Sequence, residues 1–213
     1  MKRVVLISLL AVLYACNSVN RKEEVEVESE FDFGTFKAEF IEAMWEINPI
    51  SASYQGVHKY DAQLPIPNEA RKEAKLQFTR SWLKQIQKFN YDSLSESDKI
   101  DYHLIEDDLK NSDFYVNLFK AGEWNPSSYN LGGSFFQVIN YQKHSLEKRL
   151  EDVNQKLIQV VAYYEQAQKN IKQPTKVHTN LAVQQLEGSK SIFNKTLVDS
   201  LNASSKDEEF KIK

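Results

Sequence analysis

The sequence predicts an all-α protein, an irregular multi-helix bundle, and three observations carry that reading. Gly and Pro number only 6 and 5 in 213 residues, too few for the tight turns of a β-sandwich or for a collagen or low-complexity linker chain. From Thr35 onward, apolar residues recur three and four positions apart, which places them on one side of a helix. A chain of this length can also bury a sizeable core without cross-links, in keeping with its single cysteine.

The elements follow in chain order. Lys2 and Arg3 precede an apolar run, Val4 to Leu13, that is too short to span a bilayer as a helix. This is the layout of a signal peptide, assigned to residues 1–15. It ends Leu13-Tyr14-Ala15-Cys16, which resembles the lipobox of bacterial lipoproteins, with Cys16 as the acylated residue and new N-terminus. An ordinary cleaved signal with a leftover thiol would explain the same residues. Residues 16–34 then read as a flexible acidic tether, with Glu23, Glu24, Glu26, Glu28, Glu30 and Asp32 and little but valine between them.

A helical domain is expected over residues 35–201. Thr35 can cap a first helix that carries Phe36, Phe40, Ile41, Met44 and Trp45. Asn48-Pro49 breaks it and starts a second, which Gly56 can stop. A loop from Val57 to Pro67 leads to Asn68, the cap of a helix with Phe78, Trp82, Ile86 and Phe89 on one stripe. Ser95 and Asp98 form a capping-box-like start. The helix behind them shows Ile105, Leu109, Val116 and Phe119, and Gly122 is its expected end. Glu123 to Gly133 is irregular, and Ser134 to Asn140 is too short to separate helix from strand. Ser145 opens one long helix in which Leu146, Leu150, Val153, Leu157, Val161, Tyr164 and Ile171 keep a near-heptad seam up to Pro174. A last helix runs from about Val177 to Leu201, and residues 202–213 form a polar tail that frays.

A net charge of −3 gives no electrostatic reason for nucleic-acid binding. Of the four histidines, none begins an HExxH, and CxxC, GxSxG, P-loop and GxGxxG patterns are absent from the sequence. His103, Glu106 and Asp107 share a helix face, but such neighbours are the ordinary content of a solvated surface. No catalytic residue and no metal ligand is assigned. The loop His58-Lys59-Tyr60-Asp61 stands apart, because it concentrates hydrogen-bonding side chains just after a helix stop. His58 and Asp61 could equally serve to cap backbone groups and fix the loop.

The stretch from Asn48 to Pro65, reading NPISASYQGVHKYDAQLP, resembles the pattern DPxxATxxGxHxYDxxLP of the bacterial domain-of-unknown-function family 885. Further matches come in order: Leu94 to Tyr102, Trp124-Asn125-Pro126-Ser127-Ser128-Tyr129, and Asn170 through Pro174 to Leu186-Glu187-Gly188. The resemblance implies one half of a helical fold like that of zinc metallopeptidases, with a cleft that His58, Tyr60 and Asp61 would line. The family's HExxH lies in a C-terminal half that this sequence does not contain. The resemblance therefore implies zinc in full-length members and no cofactor in this chain, which would be inactive alone. Asn48 stands where the family usually has Asp. The expected partners are the bilayer, through acylated Cys16, and peptides or the missing C-terminal half. The expected location is the bacterial cell envelope, at the outer membrane. A lipid-tethered binding or scaffold module is the alternative function.

Overall fold

A computed structural model describes residues 32–212 of the chain. The signal peptide, Cys16 and most of the tether lie outside the described residues. Those described form helices and turns without any strand, so the all-α expectation holds. Among them no helix is long and apolar enough to cross a membrane.

The helices are α1 (Phe33–Ile47), α2 (Pro49–Tyr54), α3 (Glu69–Ile86), α4 (Glu96–Phe114), α5 (Ala121–Trp124), α6 (Gly132–Asn140), α7 (Leu146–Leu157), α8 (Val160–Asn170), α9 (Lys176–Ser191), α10 (Val198–Ala203) and α11 (Glu208–Ile212). Four of them, α2, α3, α4 and α7, start where the sequence places a cap. The Arg71 amide donates to Asn68 Oδ1 at 2.8 Å, the Asp98 amide to Ser95 Oγ at 3.1 Å, and the Lys148 amide to Ser145 Oγ at 3.2 Å. The first start differs. Asp32, not Thr35, caps α1, accepting the Thr35 amide at 2.9 Å. A carboxylate there also favours the positive end of the helix dipole, so Phe33 and Gly34 belong to the helix and not to the tether.

Two apolar cores organise the body. The first lies among α1, α3 and α4, where Phe33, Phe36, Phe40, Ile86, Ile105 and Leu109 are buried. Trp82 packs edge-on against Phe36 and Phe40, each with centroids 5.4 Å apart, the geometry aromatic quadrupoles prefer. Lys37 ties α1 to α4 through Asp98 at 2.6 Å and Asp101 at 2.7 Å. The second core is built from Leu64, Tyr129, Leu131, Phe135, Val138, Ile139, Val153, Tyr163 and Ala167. Ile192, Phe193 and Leu197 of the last helical run pack against it. Gly132 lets α6 approach α9 closely, since a Cβ there would collide with Ser189.

Three elements depart from the sequence reading. The helix through Phe119 does not end at Gly122: α4 passes into a π-helical turn, Tyr115–Phe119, and Lys120 closes it in the left-handed region at φ 48°. Gly122 lies inside α5. The long helix after Ser145 is two helices, parted at Ile158 and Gln159. Gln159 Nε2 donates to Ala62 O at 3.1 Å and its Oε1 accepts the Leu64 amide at 3.3 Å, so the break serves the 57–67 loop. Past it the buried residues are Tyr163 and Ala167, whereas Val161, placed on the seam by heptad counting, is 68% exposed. Lastly, the polar tail docks on α7. Ser205 donates to Glu147 at 2.9 Å and Lys206 pairs with Glu151.

Candidate functional site

The 57–67 loop enters from α2 through a Schellman turn. Gly56 adopts φ 85°, its amide donates to Ser53 O at 3.1 Å, and the Val57 amide donates to Ala52 O at 2.9 Å. The chain then makes one 3-10 turn, His58–Tyr60, which directs successive side chains apart.

His58 and Asp61 turn inward, and both are buried. His58 Nδ1 meets Asp61 Oδ2 at 2.8 Å, and Ser53 Oγ donates to Asp61 Oδ1 at 2.5 Å. The His58 ring stacks on Tyr141, centroids 3.3 Å apart, and meets His144 edge-on at 6.1 Å. Tyr60 does not join them. Its hydroxyl donates to Glu42 Oε1 at 2.6 Å, beside Lys59, which pairs with the same carboxylate. Hydrogen bonds from Lys59 and then Tyr60 hold the Glu42 carboxyl below its ordinary range. Of the three sequence-selected residues, the structure thus brings together His58 and Asp61, and places Tyr60 against α1.

The rest of this polar cluster comes from α7. Lys148, Asp152 and Lys156 recur every four residues and therefore share one face. Asp152 and Lys156 are buried, Lys156 to 1% exposure. Lys148 Nζ reaches both oxygens of Asp152 at 2.5 Å. Burial pushes the Lys156 ammonium down, against the opposing pull of Asp61 and Asp152. Counting apolar positions along α7 could not find these residues. The detectable signal was a K-x-x-x-D-x-x-x-K spacing interleaved with the apolar stripe.

The chemistry open to this cluster is limited by its connectivity. The carboxylate stands between the hydroxyl and the imidazole, so His58 cannot take the Ser53 proton directly, as a serine nucleophile requires. Asp61, His144 and Asp152 place potential ligand atoms within 4.8 Å of one another, and His144 Nδ1 is buried without a partner. Lys148 already holds both Asp152 oxygens and Lys156 offsets the remaining charge, so a cation would have to displace an ammonium. The donor set thus fits a metal poorly. The other histidines are engaged elsewhere: His103 Nε2 meets Tyr91 Oη at 2.9 Å, and His178 Nδ1 meets Thr175 Oγ1 at 2.6 Å.

A second feature is a cavity of about 480 Å³ at the start of α3, bordered by Tyr115, Lys120, Glu123, Tyr129 and Asn170. A smaller one of about 200 Å³ adjoins it, and Arg71 and Lys75 line both. Neither is lined by His58, Tyr60 or Asp61.

The described residues thus form an all-helical body whose 57–67 loop is held by a buried Ser53–Asp61–His58 contact. The chain belongs to the family described as "Bacterial protein of unknown function (DUF885)", whose profile matches residues 49–212. It is similar to a solved structure from Shewanella oneidensis described as "a putative lipoprotein of unknown function", at 36% identity and a TM-score of 0.82 over 85% of this chain. The chain spans 33% of that protein's length. No curated protein matches it.

Proposed function

We propose that the protein is a lipoprotein of the bacterial cell envelope, anchored at the outer membrane through acylated Cys16. Its helical body would be the N-terminal portion of a zinc-peptidase-like architecture and would not hydrolyse peptides by itself. The single observation that carries this reading is the family match over residues 49–212 behind a lipobox-like Leu13-Tyr14-Ala15-Cys16. Similarity to a protein described as a lipoprotein supports the anchor. The want of an HExxH in the sequence supports the inactivity, because a metal-activated water needs both its ligands and a general base. His58 and Asp61 then hold the loop that borders a family cleft, and Tyr60 braces it on α1.

Two measurements test this. Expressed in a bacterial host with an alkyne fatty acid, the chain should label and sediment with membranes, and Cys16→Ala should abolish the label. Retained labelling in Cys16→Ala would remove the anchor. The same chain, assayed with fluorogenic peptides and added zinc, should show no chelator-sensitive hydrolysis. Hydrolysis that chelator stops would overturn the inactive reading.

A tethered binding or scaffold module is the second reading. It is favoured by apolar side chains left exposed along α4 and the turn after it, namely Ile100, Leu104, Tyr115 and Leu118, since surfaces of this kind mark contact sites.

A further inference from the structure

The cavity at the start of α3 carries a charge imbalance that nothing in the cluster around Asp61 explains. Six cationic side chains line it against two carboxylates, Glu69 and Glu123. Both carboxylates are already engaged, Glu69 by Lys72 at 3.1 Å and Glu123 by Lys172 at 2.9 Å. Arg71, Lys75, Lys120 and Lys169 form no ion pair with any described residue. Arg71 and Lys75 are also half-buried and lie one turn apart on α3, where like charges repel.

An unpaired cation withdrawn from water costs free energy unless an anion meets it. We propose that this cavity is a binding site for a phosphate-bearing anion, with Arg71 and Lys75 as its principal contacts and Lys120 at its rim. The volume falls within the range of small-molecule sites. The guanidinium fork matches two phosphate oxygens at once, and the ammonium adds a point charge. The positive end of the 18-residue α3 faces the same space. Lys120 is held at the rim in a left-handed conformation, the only such non-glycine residue among those described. Burial depresses both the Arg71 guanidinium and the Lys75 ammonium, and the charge of Arg71 depresses Lys75 further. These are shifts that a bound anion would reverse. Free phosphate esters and lipid headgroups share this chemistry.

The test uses the full chain carrying Cys16→Ala, so that no acyl group contributes. Pyrophosphate is titrated by calorimetry, and vesicles of phosphatidylglycerol in phosphatidylcholine are tested by co-sedimentation. Saturable pyrophosphate binding, weakened about tenfold or more by Arg71→Gln and by Lys75→Gln and unchanged by Lys190→Gln on α9, supports the site and names a soluble ligand. Saturable binding to phosphatidylglycerol vesicles alone, with the same loss in both variants, supports it and names a headgroup. No saturable binding of either probe, or binding that ignores both substitutions, overturns it. Each substitution removes an uncompensated charge, so the thermal transition should stay or rise. Lys120→Gln, outside α3, supplies an independent variant should either of the others fail to fold.

Discussion

Asp61 satisfies three neighbours at once, accepting from Ser53, pairing with His58 and offsetting the buried Lys156. Removing one member of such a set leaves the others uncompensated, which costs more than the set contributes when intact. Asp61→Ala should lower unfolding free energy by about 3 kcal/mol in urea denaturation. Tyr60→Phe, which loses one exposed hydrogen bond to Glu42, should change it by no more than about 0.5 kcal/mol. The two residues are neighbours in sequence and both hydrogen-bond, so residue type alone does not rank them. What separates them is the turn that sends one side chain inward and the other to α1. The same scale sets an alkaline limit. Burial raises the Tyr163 hydroxyl well above its ordinary value of 10.0. The unfolded chain therefore loses that proton first, and the associated stability is complete below pH of about 10 and falls as pH rises beyond it. Tyr163→Phe should flatten the fall by up to about 1.4 kcal/mol per pH unit, read from urea midpoints across the alkaline range.

Helix ends show which local rules act alone and which yield to packing. Asn68, Ser95 and Ser145 cap as their chemistry requires, because capping needs only a side-chain acceptor within three residues. Gly56 stops α2 for an equally local reason, its positive φ. Gly56→Ala should cost about 1–2 kcal/mol from backbone strain, since no atom lies near the added methyl. A thermal melt would show it. The close of α4 at Lys120 had no signal in residue type, because lysine rarely adopts that conformation and Gly122 stood two positions away. The parting of α7 from α8 is likewise non-local. It falls where Gln159 bonds the backbone of residues 62 and 64, and a seam counted straight through it assigns Val161 to the wrong side. Gln159→Ala removes both bonds and should destabilise by about 1–3 kcal/mol, with amide exchange rising first around Leu64.

Across the whole molecule, two cores carry the fold, an aromatic one among α1, α3 and α4 and a mixed one around Phe135. The 57–67 loop reaches the second core through Leu64 and is pinned by the Asp61 cluster, so losing the cluster should loosen that side first. Fold class, the starts of α2, α3, α4 and α7, and the family's motifs were legible in the sequence, because each rests on spacing or on side chains acting within a few residues. The inward pair His58 and Asp61 was legible as a loop of interest. Its partners Asp152 and Lys156 were not, because charged residues on a helix ordinarily face water. The cationic cavity was equally hidden, since Arg71, Lys75, Lys120 and Lys169 come from three separate helical stretches and their excess appears only once Lys72 and Lys172 have paired with the nearby acids. The amino-acid order by itself determined an all-helical chain, through hydrophobic period and local caps, and its motifs from Asn48 to Gly188 carried the resemblance to the family. Tertiary structure alone decided which charges were buried, which were matched and which were left without a counterpart, because that depends on distances between residues far apart in the chain.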